Sequence, residues 1–255
     1  MYTLLGKAIM EQIAVGYLSF YHRPRPQAQP VLRAQDGWRQ ETTRFHQARK
    51  DAMRQLESFY ARARQQVGEA VASIFSIHAL MLDDDDYVDT IRNLIQGQDL
   101  PAERAVQLAE DQFAATFSSM DSPYMQARAA DIRDISQRVI RNLSGCRLEL
   151  TMSRPGILVT DSFLPSEVME FDRKRLLGLI SWKGSLDSHT AMLVRAYHIP
   201  AIVEVNVPPR AEGHLALMDG YTGSVYIDPK REQLEQLREQ YQANGRPDQR
   251  ALSVT

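Results

Sequence analysis

From Asp36 to Gly145 the chain carries an unbroken helical pattern, yet the residues on both sides of that block read as β-strands. Before it, Gln12 to Tyr21 alternates apolar and small residues, then meets Arg23-Pro24-Arg25-Pro26-Gln27-Ala28-Gln29-Pro30, which can continue neither helix nor strand. After Cys146 the texture changes to short apolar runs separated by turns: Ile157 to Thr160, Leu177 to Ile180, Ala201 to Val203, Leu215 to Met218 and Ser224 to Ile227, with Asp219 to Gly223 as a turn. A lone strand is unstable in water. The leading strand is therefore expected to pair with the later ones, which makes the helical block an insertion into an α/β domain.

Inside the block, Trp38, Phe45, Ala52, Leu56, Phe59, Ala63 and Val67 recur at helical spacing and predict one long amphipathic helix that Asp36 can cap. Gly68 permits a break, a second helix follows from about Glu69 to Leu82, and a third carries Val88, Ile91, Leu94 and Ile95 until Gly97 stops it. Pro101 and Pro123 suit the first turns of two more helices, the latter capped by Ser122 and ended by Gly145. Arg231 to Gln242 reads as a charged helix before a polar tail. The expected division is 1–30 for the first strand and linker, 31–145 for the helical domain, 146–230 for the α/β domain, and 231–255 for the terminal helix and tail.

A length of 255 residues supports two modest domains, and a 44% hydrophobic share is enough for packed cores. Net charge is −2, with basic residues spread rather than clustered among aromatics, so no nucleic-acid partner is expected. A single cysteine, Cys146, excludes an internal disulfide framework. With no leader pattern and no apolar stretch long enough to span a bilayer, the expectation is a cytoplasmic protein without membrane insertion.

The chemistry is concentrated at Ser188-His189-Thr190. Ser188 can cap a short helix through its hydroxyl, which puts His189 in the first turn, where unpaired N–H groups and the positive dipole end favour an anion such as a phosphoryl group. Thr190 and the backbone amides can donate to it. Asp187 places a carboxylate beside the imidazole, able to orient it but also to repel a phosphoryl group. Taken alone, a capped helix with a surface histidine is an ordinary feature. Arg195, two turns on, is too distant to touch the same group. His22, His46, His198 and His214 show neither metal-like spacing nor a nucleophilic partner. The run Asp83 to Asp86 reads first as a solvated helix end, because consecutive aspartates do not point one way on a helix.

The string from Gly178 to Val203 resembles the active-site segment of Enzyme I of the bacterial phosphoenolpyruvate-dependent sugar phosphotransferase system, in which the histidine of the Ser-His-Thr triplet is phosphorylated. Ile74-Phe75, His78, Met81 to Asp85, Arg128 to Ile135, Arg141-Asn142-Leu143, Leu164 to Glu167 and Val225 to Pro229 match in order, so the resemblance covers roughly Gln12 to Tyr241. It implies a swivelling α/β phosphohistidine domain with an inserted all-α bundle, and phosphoryl exchange between His189 and a histidine-containing phosphocarrier protein.

By the same resemblance the helical domain docks the phosphocarrier through His78, Leu80, Met81, Asp86, Met125 and Arg128, although Leu80, Met81 and Met125 suit a core equally well. Phosphoenolpyruvate would bind a separate carboxy-terminal barrel. No cofactor is expected in this chain, Mg²⁺ being needed only by that barrel, and a monomer is expected. The chain departs from the family pattern in places. Ser181 to Asp187 replaces Thr-Asp-x-Gly-Gly-x-Thr, Ser162 to Ser166 replaces Asp-Leu-Thr-Pro-Ser, and Val71 stands where lysine is common. Two other readings are compatible with the residues: the phosphohistidine domain of a pyruvate phosphate dikinase or phosphoenolpyruvate synthase, which the helical insertion disfavours, and a catalytically silent adaptor that binds the phosphocarrier.

Overall fold

The computed structural model describes residues 2–23, 37–145, 152, 154–232, 234, 235 and 239. They fall into two compact units, Met1–His22 with Leu150–Phe163 and Glu170–Thr255, and Arg23–Glu149 with Leu164–Met169. Cys146, the cap proposed at Asp36 and most of the helix expected from Arg231 lie outside the described residues.

The second unit is helical: α1 (Trp38–Val67), α2 (Glu69–Asp83), α3 (Asp85–Gln98), α4 (Ala102–Ser118) and α5 (Pro123–Ser144). In α1, Phe45, Ala48, Ala52, Leu56, Phe59 and Ala63 are buried at spacings of three and four, the stripe the sequence shows; Trp38, at its start, is exposed. Gly68, at φ +93°, separates α1 from α2. Gly97 does not stop α3, which continues to Gln98 and ends on Asp99 in the left-handed region at φ +52°. A single interior glycine costs a helix only about 1 kcal/mol, which the buried Val88, Ile91 and Ile95 outweigh. Ser122 holds the position before α5 but makes no side-chain cap bond, whereas Gly145 ends that helix at φ +64° as expected.

The start of α4 is capped from another helix. Pro101 has no side-chain acceptor, and Glu41, buried in the first turn of α1, accepts the Ala102 N–H at 2.7 Å. Leu164–Met169, which includes all but the last residue of the short helix α6 (Pro165–Glu170), belongs to this unit and not to the α/β domain expected over 146–230. Arg23 grips Glu167 through two bonds of 2.6 and 2.8 Å, and Arg62 donates to the Met169 carbonyl at 2.8 Å.

The first unit is built on one eight-stranded sheet: β1 (Tyr2–Leu5), β2 (Lys7–Ala8), β3 (Ile13–Phe20), β4 (Gly156–Thr160), β5 (Leu176–Ser181), β6 (Ala201–Val203), β7 (Leu215–Asp219) and β8 (Ser224–Ile227). The order is β1-β8-β7-β3-β4-β5-β6-β2, with β3 to β6 parallel and the others antiparallel to their neighbours. The predicted strand before the helical block is β3, and it does pair with the later strands.

β1 and β2 lie at opposite ends of that order but are one run of chain broken only by Gly6, so the amino terminus closes the sheet on itself. Gly6 makes the closure possible: a Cβ there would sit 2.3 Å from Val205 Cγ2 and 2.5 Å from the Val203 carbonyl oxygen. One face of the closed sheet encloses Ala14, Leu18, Ile157, Val159, Ile180, Ile202, Ala216, Met218, Val225 and Ile227, alternate residues of each strand. Helix α7 (His189–Ala196) crosses between the parallel strands β5 and β6.

Candidate functional site

The loop between β5 and α7 is fixed at several points before it reaches His189. Ser181 is buried and donates its hydroxyl to the Lys183 carbonyl at 2.7 Å, while its own carbonyl accepts from the Val205 N–H at 3.0 Å. The Trp182 and Lys183 amides donate to the carbonyls of Thr160 and Asp161 beyond β4, and the Trp182 indole donates to Val207. Parallel pairing of β4 with β5 brings these strand ends together.

Ser185 to Ser188 then makes a tight turn. The Asp187 N–H donates to Ser185 Oγ at 3.2 Å, and Ser188 donates its hydroxyl to the Ser185 carbonyl at 2.9 Å. Ser188 Oγ in turn accepts the Ala191 N–H at 3.1 Å, the cap the sequence predicts, with extended backbone at φ −72°, ψ 156°. His189 is thereby the first residue of α7. It is half-buried, while Ala191, Leu193 and Val194 turn into the core and Met192 stays 42% exposed.

Thr190 plays a different part from the one expected. Its hydroxyl donates to the Phe163 carbonyl at 3.0 Å, so it fixes the loop after β4, and what it keeps for an anion is its backbone N–H in the first turn. Asp187 is exposed at the turn. Arg195 donates from Nε to the Ile9 carbonyl at 3.2 Å, a structural tie. The other histidines occupy structural places: His22 stacks on Phe20, His214 pairs with Asp228 at 2.7 Å, and His198 takes a left-handed turn at φ +53° on the way to β6. His46 packs beside Phe45, and burial, helped by Arg49 and Arg92, lowers its pKa.

Residues 5–128 match the profile of the PEP-utilising enzyme N-terminal domain, and residues 152–223 match that of the PEP-utilising enzyme mobile domain. The chain belongs to the PEP-utilising enzyme family. It is 31% identical over 252 residues to a phosphoenolpyruvate-protein phosphotransferase of Bacillus sp. (strain S), covering 94% of this chain and 43% of that protein. To the protein of the same name in Geobacillus stearothermophilus it is 33% identical over 214 residues, covering 80% of this chain and 36% of the relative. The chain thus spans less than half the length of these relatives. A solution structure of Enzyme I aligns over 95% of this chain and all of that one, with a TM-score of 0.71 and 25% identity. The N-terminal domain of Enzyme 1 - Nitrogen aligns over 94% of this chain and 99% of that one, with a TM-score of 0.62 and 21% identity, which supports the fold. The Ser-His-Thr segment therefore lies in the family's mobile domain, and α1 to α4 with the start of α5 in its N-terminal domain.

The residues expected at a docking face divide into two groups. Leu80 is 71% exposed, Asp86 is exposed in the first turn of α3, and Met81 on α2 and Met125 in the first turn of α5 are half-buried. Within the acidic run, Asp84 caps α3 by accepting the Asp86 and Tyr87 amides at 3.0 and 3.2 Å, and Asp83 pairs with Arg49 at 3.1 Å. No helix among the described residues is long and apolar enough to cross a membrane.

His78 is not on that surface, being wholly buried. Its Nε2 lies 3.2 Å from Asp131 Oδ1 and its Nδ1 3.4 Å from Asp134 Oδ2, both carboxylates on α5, which turns α2 and α5 toward each other around an ion pair. Burial alone would lower the imidazole pKa, but the two carboxylates outweigh it and hold it at about 9. Burial likewise opposes ionisation of Asp134, yet His78, then Arg138 and Ser166, keep its pKa below the usual value. Arg128, only 13% exposed in its side chain, donates to Asp131 Oδ2 at 3.1 Å. Asp131, Asp134 and Ser166 were not singled out from the sequence. The available signal was two acids spaced i, i+3 within the otherwise apolar stripe of Ala129, Ile132 and Ile135.

Proposed function

We propose that His189 accepts a phosphoryl group and passes it on, exchanging it with the histidine of a small phosphocarrier protein in a phosphoenolpyruvate-dependent sugar phosphotransferase system. The observation that carries this reading is the placement of His189 as first residue of a Ser188-capped helix on the mobile domain, half-buried but reachable. In the transfer a lone pair on a neutral His189 ring nitrogen attacks phosphorus, a new N–P bond forms, and the N–P bond to the carrier histidine breaks, that nitrogen recovering its lone pair. The first-turn amides and the positive end of α7 stabilise the phosphoryl oxygens. Leu80, Met81, Asp86, Met125 and Arg128 offer the apolar patch with a charged rim that suits a transient partner.

The test is incubation of the chain with phosphorylated phosphocarrier, followed by a search for acid-labile, base-stable phosphate. His189→Ala should abolish labelling while leaving the circular dichroism spectrum and carrier binding intact; retained labelling would overturn the assignment. A silent adaptor is the second reading, favoured by Leu164, buried at the place where the family pattern has a hydroxyl. Binding of the carrier without any labelling would select it.

A further inference from the structure

The His78 cluster extends beyond one ion pair. Asp134 Oδ2 also accepts the Ser166 N–H at 3.0 Å, and Asp134 Oδ1 accepts the Ser166 hydroxyl. A continuous line therefore runs from Arg128 through Asp131, His78 and Asp134 to Ser166 at the start of α6, all within the helical unit. The groups facing it are Phe75, edge-on to the ring from α2, Arg138 of α5, which lies over the Phe59 ring of α1, and Glu167 of α6, held by Arg23.

A neutral imidazole has one N–H and one lone pair. Neither ring nitrogen meets hydrogen-bond geometry, so the contact is one of charge: buried carboxylates at 3.2 and 3.4 Å from the two nitrogens favour the doubly protonated, positively charged ring over the neutral one. Arg128 and Ser166 also contact Asp131 and Asp134, but both carboxylates are buried beside a wholly buried ring, where water does not screen their charge. We propose that His78 is a positioning residue charged at neutral pH, an imidazolium that keeps Asp134 ionised as the anchor of the 164–169 segment and Asp131 ionised as the anchor of Arg128. One buried cation then sets, within the helical unit, both a residue of the docking face and the 164–169 segment. The functional consequence rests on the phosphoryl-transfer reading above; the charge state and the anchoring do not.

The experiment is ¹⁵N-resolved NMR of the full chain from pH 6 to pH 10. Both ring nitrogens of His78 should be protonated at pH 7, and the Ser166 amide resonance should shift with the same midpoint as the ring when the proton is finally lost. His78→Gln should reduce hydrogen-exchange protection of the Ser166 amide by about tenfold or more relative to amides of β3. It should also weaken carrier binding severalfold, because Arg128 of the docking face loses the charge that holds its anchor in place. A single-proton tautomer at pH 7, or a Ser166 amide indifferent to the titration, would overturn the proposal. If His78→Gln does not fold, the wild-type titration decides alone. If the chain accepts no phosphate at all, the transfer reading fails while the ring and amide signals still settle this one.

Discussion

Thr190 donates its hydroxyl to the carbonyl of Phe163 at 3.0 Å, so one bond joins the first turn of α7 to the loop that follows β4. The bond makes Thr190 a positioning residue for His189. Thr190→Val keeps the shape and removes the donor, leaving the Phe163 carbonyl without that partner. It should cost about 1 kcal/mol of stability and slow phosphoryl acceptance by roughly tenfold, while Thr190→Ser stays close to wild type. Urea melts and labelling time courses on the two variants measure both effects. Equal labelling rates in Thr190→Val and wild type would contradict this role.

Asp187 stands exposed one residue before the cap, where the family pattern has threonine. A carboxylate there repels the incoming phosphoryl charge. Asp187→Thr should accelerate acceptance severalfold, most clearly at low salt, where the repulsion is least screened. A slower Asp187→Thr would instead make the carboxylate an orienting partner of the imidazole.

The acidic run separates into residues with distinct tasks. Asp84 accepts two amides at the start of α3, so Asp84→Ala should lower stability by about 1 kcal/mol and leave carrier binding unchanged. Asp86 is exposed and donates only its backbone amide to that cap, so Asp86→Lys should lower stability by less than about 1 kcal/mol through the helix dipole, yet weaken carrier binding and reduce its salt dependence. Titration calorimetry at two salt concentrations distinguishes the pair.

Gly6 is the pivot of sheet closure, and its missing Cβ is what allows Val203 and Val205 to approach. Gly6→Ala puts a methyl group against the Val203 carbonyl, which is backbone and cannot swing aside. The expected loss is about 2 kcal/mol or more. Thermal unfolding read on tryptophan fluorescence from Trp182 would report it.

Periodicity made the helical block, β3 and the later strands legible, because those elements each bury a regular face that the sequence must encode in its spacing. β1 and β2 escaped that reading. Four and two residues long, they owe their existence to pairing with β8 and β6, whose residues are more than 190 positions away. The Ser188 cap was readable because capping is local: the bond to the Ala191 amide spans only three positions along the chain. The role of Thr190 was not, since its partner Phe163 is 27 residues distant. His78 failed as a docking residue for the same reason. Nothing local says that Asp131 and Asp134 wait on the facing helix, and a histidine on a helix beside exposed Leu80 reads as surface until α5 is in place.

Glu110 and His78, together with Glu167, whose carboxyl burial also raises, should make the helical unit lose stability as pH rises, the carboxyls in a lower window and the imidazole in an upper one. Burial pushes the Glu110 carboxyl from 4.5 up to about 7, with Asp111 adding to the shift and the Gln137 hydrogen bond opposing it. The folded state holds that proton more tightly than the unfolded chain, so this contribution is complete below about pH 4.5 and is lost as pH rises through 7. His78, raised from 6.5 to about 9, behaves likewise, its contribution complete below about pH 6.5 and lost as pH rises through 9. The Glu110 and His78 shifts each correspond to a loss on the order of 3 kcal/mol at most. Urea midpoints from pH 4.5 to pH 10 should therefore fall in two steps. Glu110→Gln should reduce the lower step, because a neutral amide still accepts from Gln137 through its oxygen and carries no charge to bury. His78→Gln should start from a lower stability at pH 7, with two buried carboxylates deprived of their shared cation, and should lack the upper step. An upper step that survives in His78→Gln would assign it to another group and remove the buried imidazolium as its source.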